Sequence, residues 1–333
     1  MKLRLLRLAF ALTIVTMAAV AQNTKPKAPK DDPDAIGDRD VCTGINLYGI
    51  DTEMALGKQM AQMVARDAKL VDDVIITEYV NRKVQNLVRN SDVKIPVTVQ
   101  VLDSEEINAY TLPGGYLFVN SGLLLAADSE AQFAGAMAHE VAHVACRHAT
   151  RQATNSDLTR IGATLASIIM GGWPGYAIGQ GAGAAIPVEY LRFSQKFEAD
   201  ADFYGLQYVY KSGYDPAELV NFFEKIESLE TKQPTAIGKF FATHPMTDAR
   251  IKKSQREIDV DFGDRPEYVV DTSEFHDVKA RLESLHNHRP GGKIDPNRPT
   301  LRRWPNGPVD GDDTPPKNDS DERPTLKRRD GGN

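Results

Sequence analysis

Residues 129–146 read Ser-Glu-Ala-Gln-Phe-Ala-Gly-Ala-Met-Ala-His-Glu-Val-Ala-His-Val-Ala-Cys, and this stretch decides the fold. From Ala131 to Cys146 small and apolar residues fall on nearly every face, so the segment reads as a long buried helix with Ser129 as its N-cap. His139 and His143 stand four residues apart, an offset on a helix of only about 40° and about 6 Å of rise. Both imidazoles can therefore close on one metal ion, with Glu140 beside it, placed to work on a water held there. Three fixed residues recur by chance in a chain this long with a probability of roughly 4%. The motif therefore needs a third ligand and a substrate-binding surface from elsewhere in the chain.

A protease zinc takes three protein ligands and keeps one position open. The missing ligand is expected on a second helix, and Phe193 to Lys211 reads as one. It carries Glu198-Ala199-Asp200-Ala201-Asp202, in which Glu198 and Asp202 are one turn apart and can face the same partner. A division of labour follows: Glu198 on the metal, Asp202 accepting from the outer ring nitrogen of a ligand histidine and so fixing its tautomer. Asp200 lies about 160° round the helix from both and is expected to face solvent. Without the histidine pair, three acids here would read as an exposed acidic face.

The chain has 333 residues, 41% hydrophobic and 26% charged, which suits a globular protein with room for one large domain and tails. The start reads as a targeting segment. Lys2, Arg4 and Arg7 form a basic region, Leu8 to Ala21 is apolar, and Ala19-Val20-Ala21 offers a small-x-small cleavage site. The apolar run is 14 residues long, too short to span a bilayer and right for a cleaved signal peptide over residues 1–21. A retained N-terminal anchor is the alternative. Cutting after Ala21 takes the net charge from −6 to −9, which argues against a nucleic-acid partner. Cys42 and Cys146 are the only cysteines, and in an exported protein such a pair often bonds, although sequence leaves the geometry open.

Residues 22–44 are rich in Lys, Pro and Asp and read as a flexible leader. Helical spacing follows over Asp51–Asp67 and Val74–Val88. Pro96 to Leu102 then alternates as a strand, and Gly115 to Asn120 reads as a second strand after a Pro-Gly-Gly turn. Residues 160–187 are apolar and glycine-rich; packed helices joined by a turn and a mobile flap over the site both remain open. Tyr268 to Asp271 and a helix from Phe275 to Leu285 are expected to pack back on the catalytic domain. Eight of the nineteen prolines fall in the last 48 residues, so the tail over 286–333 is expected to be disordered. His148 lies about 140° from His143 on an unbroken helix and so off the metal face. Packing or hydrogen bonding is its expected role. His276, His286 and His288 are expected to be solvated.

The motifs together carry a resemblance. His139-Glu140-x-x-His143, then Ser194-x-x-x-Glu198-x-x-x-Asp202-x-x-Gly205, Gly213-Tyr214-Asp215-Pro216 and Thr243-His244-Pro245 are similar to those of the CAAX prenyl protease/HtpX-like zinc metallopeptidases, in their soluble exported branch. Asn108-Ala109-Tyr110-Thr111-Leu112-Pro113-Gly114-Gly115 and Gly122-Leu123-Leu124 extend the match, which covers roughly residues 45–255. This chain departs from the family pattern at Gln195 and Asp200, neither of them a ligand position. The resemblance implies an α+β fold: a mostly helical gluzincin-type metallopeptidase domain over 45–255, with a small antiparallel sheet beside the zinc helix and an extension over 256–285. It implies one Zn2+ per chain on His139, His143 and Glu198, with Glu140 as acid/base. It further implies a substrate rail along an exposed edge strand at Asn108 and Ala109, where free backbone groups would bind extended peptide with little sequence preference. His244 is the candidate for a second oxyanion donor or for a gate on the open zinc position, and Arg250 is the other candidate for the oxyanion or for a substrate carbonyl.

The expected activity is an exported, periplasmic zinc endopeptidase acting on unfolded or misassembled envelope proteins, with membrane-associated proteins among its possible partners. A chaperone-like binding protein with latent proteolysis is the second reading. A purely structural zinc, which would need four protein ligands with His244 as the fourth, is the third.

Overall fold

The computed structural model describes residues 32–155, 192–230, 243–245, 247–262 and 267–287. All of them lie in the first of the two units into which the chain divides, Met1–Pro290. The expected signal segment, the glycine-rich stretch 160–187 and the tail from residue 288 lie outside the described residues.

Two amphipathic helices come first, α1 (Ile50–Asp67) and α2 (Val74–Arg89). Asp73 caps α2 by accepting from the Ile75 and Ile76 amides, and Ile76, Tyr79, Val80, Val84 and Leu87 bury one stripe of it. The three strands are β1 (Thr98–Leu102), β2 (Ala109–Leu112) and β3 (Tyr116–Asn120), in the order β1-β3-β2. β2 pairs antiparallel with β3, but β1 pairs parallel with it. The sheet is therefore mixed rather than antiparallel throughout. Residues 103–115 form the crossover a parallel pair requires, and β2 is built inside that crossover. Gly114 and Gly115, with φ of 71° and 83°, turn the chain from β2 into β3.

A short helix α3 (Ser121–Ala126) leads to the central helix α4 (Glu130–Ala145), every residue of which but the last is buried. Ser129 caps it by accepting from the Gln132 amide at 3.2 Å. Helices α5 (His148–Asn155), α6 (Gln195–Lys211), α7 (Ala217–Glu230), α8 (Asp248–Asp261) and α9 (Ser273–Asn287) complete the described elements. Two glycines let α4 be approached closely. A Cβ at Gly205 of α6 would stand 3.2 Å from the His139 Cα, and one at Gly135 would stand 2.9 Å from the Leu219 Cα of α7.

The leader is held earlier than its composition suggests. Arg39 is 5% exposed and pairs with the buried Asp92 at the end of α2, while Cys42 is bonded to Cys146 across 104 residues. At the other end, the Ala131 amide donates to the Val270 carbonyl, and Phe275, Val278 and Leu282 of α9 enter the main core. His286 is packed rather than solvated, 3.1 Å from Ser121 Oγ, whereas His276 is exposed and pairs with Asp271. Among the described residues no helix is long and apolar enough to cross a membrane.

Candidate metal centre

The α4 helix brings His139 Nε2 and His143 Nε2 to 3.1 Å of each other, as their four-residue spacing requires. Because Gly205 lets α6 lie against His139, Glu198 reaches both rings: Oε2 is 3.4 Å from His139 Nε2 and Oε1 is 3.6 Å from His143 Nε2. His244, on the segment before α8, places Nδ1 3.3 Å from Glu198 Oε1. Ligand atoms of His139, His143, Glu198 and His244 all lie within 4.8 Å of one another, and all four residues are buried. Two imidazoles and a carboxylate form a borderline donor set of the kind zinc takes in open sites, and the observed crowding of ring nitrogens suits a cation between them.

Electrostatics point the same way. Burial alone would push Glu198 up, but His244, His139 and His143 hold it well below the usual carboxylate range. Burial would lower His139, yet Asp202 and Glu198 hold it up at about 9. Burial dominates at His143 and drives it well below the usual histidine value. At Glu140 burial also wins and raises the carboxyl, against His244, His139 and a hydrogen bond to Thr111 of β2. Its Oε1 lies 3.2 Å from His244 Nε2.

Around these groups stands a second set. Asp202 Oδ1 is 3.1 Å from His139 Nδ1, the orienting position expected of it. Arg250 grips Asp202 with Nε and Nη2 at 2.7 Å each, and its Nη1 lies 2.9 Å from Glu198 Oε2 while donating to the Pro245 carbonyl. Its guanidinium is therefore engaged behind the metal ligands, a geometry that does not suit the expected oxyanion role. Asn108 and Ala109 lie at the start of the edge strand β2, and both are buried. The Asn108 carbonyl accepts from the Asn120 amide of β3, and its side chain lies 3.5 Å from the Thr243 hydroxyl, next to His244.

His148 stays off the metal side and hydrogen-bonds, as expected of it, but its partner was not legible from helical spacing. The chain leaves helical geometry at Arg147, whose φ is 53°, and α5 starts afresh at His148. That turn folds the ring back, and His148 Nδ1 reaches His143 Nδ1 at 2.9 Å. Phe193 stacks on His143 with ring centroids 4.1 Å apart, and Phe223 meets His139 edge-on at 5.6 Å. Local sequence carries no signal for either contact.

Comparison with known proteins follows the same lines. The model of "Peptidase family M48" matches residues 76–258. The chain is 28% identical to "Beta-barrel assembly-enhancing protease" of Escherichia coli K12 over 305 residues, covering 90% of this chain and 61% of that protein. It is 28% identical over 215 residues to "Mitochondrial metalloendopeptidase OMA1" of Schizosaccharomyces pombe, covering 63% of this chain and 60% of that protein. Similarity to "Metalloprotease LoiP" of Escherichia coli K12 is 27% over 191 residues, covering 56% of this chain and 73% of that protein. The chain thus spans about three fifths of the length of the assembly-enhancing protease it matches.

Proposed function

The chain belongs to peptidase family M48, and on that footing we propose that it is an exported zinc-dependent endopeptidase. Its substrates on this reading are unfolded or misassembled proteins of the cell envelope. The observation that carries the reading is the buried group of His139, His143, Glu198 and His244 with Glu140 against it. His139, His143 and Glu198 hold the zinc. Zinc, when bound, supplies Lewis acidity toward a water and toward the scissile carbonyl. Glu140 takes the proton of the attacking water and delivers it to the leaving amine. Asp202 accepts from Nδ1 of His139 and so keeps Nε2 free to donate its lone pair. Arg250 holds the Asp202 carboxyl low and ion-pairs with Glu198, and so acts as a positioning residue.

The edge of β2 is the rail for substrate backbone, and contact between Thr111 and Glu140 puts that edge beside the proton carrier. Of the two roles open to His244, the gate has the better support. In this arrangement its ring stands where a fourth ligand would stand, hydrogen-bond distance from Glu140, and its neighbour Thr243 touches Asn108 at the head of the rail. Substrate must then displace the Thr243-His244-Pro245 segment before cleavage. This gives the latent-protease reading a specific footing. The test is Glu140→Gln in the zinc-loaded protein. Loss of casein cleavage with zinc retained supports the assignment; cleavage that survives the substitution sinks it.

A further inference from the structure

We propose that His148 is a positioning residue for the metal, taking the outer N–H of His143 as Asp202 takes that of His139, and held in the accepting tautomer by the Cys42–Cys146 disulfide. The proposal rests on the zinc reading of the site. It concerns a residue for which the sequence offers only packing or hydrogen bonding, and which the reaction itself does not use.

His143 Nε2 faces His139 and Glu198, so a neutral ring bound through that nitrogen carries its proton on Nδ1. That Nδ1 lies 2.9 Å from His148 Nδ1. Two ring nitrogens at this distance share one hydrogen, and if His143 donates it, His148 Nδ1 must present a lone pair. The proton of His148 is then on Nε2, which lies 3.7 Å from Cys42 Sγ. A disulfide sulfur has no proton and can only accept. The order is thereby fixed from end to end: His148 Nε2–H points to sulfur, and His143 Nδ1–H points to His148. A free thiol at position 42 could donate instead, and the order would lose its anchor.

Among the described residues His148 is the hydrogen-bond partner of His143 Nδ1. His148 is fully buried, and its ring stacks on Phe197 at 4.5 Å with planes 20° apart. Phe197 directly precedes the ligand Glu198, so one turn of α6 supplies both a ligand and the wall against the ligand's supporting ring. Phe193 covers the face of His143. The two histidine ligands are thus oriented by different chemistry, one by a carboxylate and one by a neutral imidazole. Arg250 pairs with both Asp202 and Glu198, so Glu198 is the one anion among the three ligands and no carboxylate stands behind His143. Zinc there keeps more of its Lewis acidity than it would with a carboxylate behind each ring.

A merely structural histidine predicts lost stability but unaltered metal binding in whatever protein folds. The test measures zinc affinity by competition with a chelator of known affinity, on wild type, His148→Phe and His148→Asn, each with native circular dichroism and an intact disulfide. His148→Phe fills the space without an acceptor; His148→Asn keeps an oxygen close to the place of Nδ1. The expected result is zinc binding weakened roughly 10- to 100-fold in His148→Phe and rescued to within a few-fold of wild type in His148→Asn. Wild-type affinity in His148→Phe overturns the proposal. If His148→Phe does not fold, nitrogen-15 NMR of zinc-loaded wild type decides by the tautomer. A proton on His148 Nε2 supports the proposal, and one on Nδ1 overturns it. A wild type that binds no zinc overturns the underlying site reading instead, before any variant is compared.

Discussion

Replacing Arg250 by Met should cost the metal-free protein about 3–5 kcal/mol of stability, the usual consequence of stranding one partner of a buried ion pair. Met keeps an unbranched apolar stem but removes the guanidinium that contacts both carboxylates. Asp202 is 3% exposed and Glu198 is 0% exposed, so neither can recover its lost partner from solvent. Four polar contacts disappear at once: two to Asp202 at 2.7 Å, one to Glu198 at 2.9 Å and one to the Pro245 carbonyl at 2.7 Å. Against a total stability of about 5–15 kcal/mol for a typical domain, the loss is a large fraction. The assay is urea denaturation of the chelator-treated protein, with Asp202→Asn and the double variant completing a cycle. Removing the Asp202 charge first should make the loss of Arg250 milder, with a coupling of about 0.5–3 kcal/mol. A cost below about 1 kcal/mol for Arg250→Met, or additive effects, would refute the reasoning, because it would mean that the carboxylates are solvated or held by other groups.

Three further outcomes follow from the structure. His244→Ala should raise basal casein cleavage if the ring is a gate, whereas an oxyanion donor predicts a fall on the order of 10²- to 10³-fold; initial rates separate the two. Gly57→Ala puts a Cβ 1.8 Å from the Pro113 carbonyl oxygen, so α1 must move away from the β2–β3 turn, lowering stability by about 1–3 kcal/mol in the same denaturation assay. Glu130 accepts from Tyr79, Lys83, Tyr214 and Thr272; burial raises its carboxyl but Lys83, Thr272 and Tyr214 together bring it below the ordinary value of 4.5. Since the folded value lies below the unfolded one, its stabilisation is present above about pH 4.5 and is lost as pH falls through the folded value. Melting temperature followed from pH 6 to pH 3 should therefore fall less steeply in Glu130→Gln than in wild type.

What the sequence made legible is what depends on helical spacing. His139 and His143 on one face, Glu198 and Asp202 on another, and the Ser129 cap are all short-range consequences of 3.6 residues per turn. The partner of His148 was not legible in that period, since a single left-handed residue at Arg147 resets the helix and turns its ring onto His143. Alternation found the strands but not their direction, because the parallel pairing of β1 and β3 depends on where the crossover closes. The leader was read from local composition, while its anchors, Arg39 on Asp92 and Cys42 on Cys146, reach across 53 and 104 residues. Arg250 was visible as a cation near the site, but only the fold shows that its fork is turned toward Asp202.

The central claim is that His139, His143 and Glu198 hold a zinc that the reaction requires. Its most direct test is zinc content and casein cleavage measured on one preparation of the protein, before and after a chelator and again after zinc is restored. One zinc per chain, with cleavage abolished by chelation and recovered on adding zinc, is the predicted result. A preparation that carries no zinc, or one whose cleavage is indifferent to the chelator, would contradict the account.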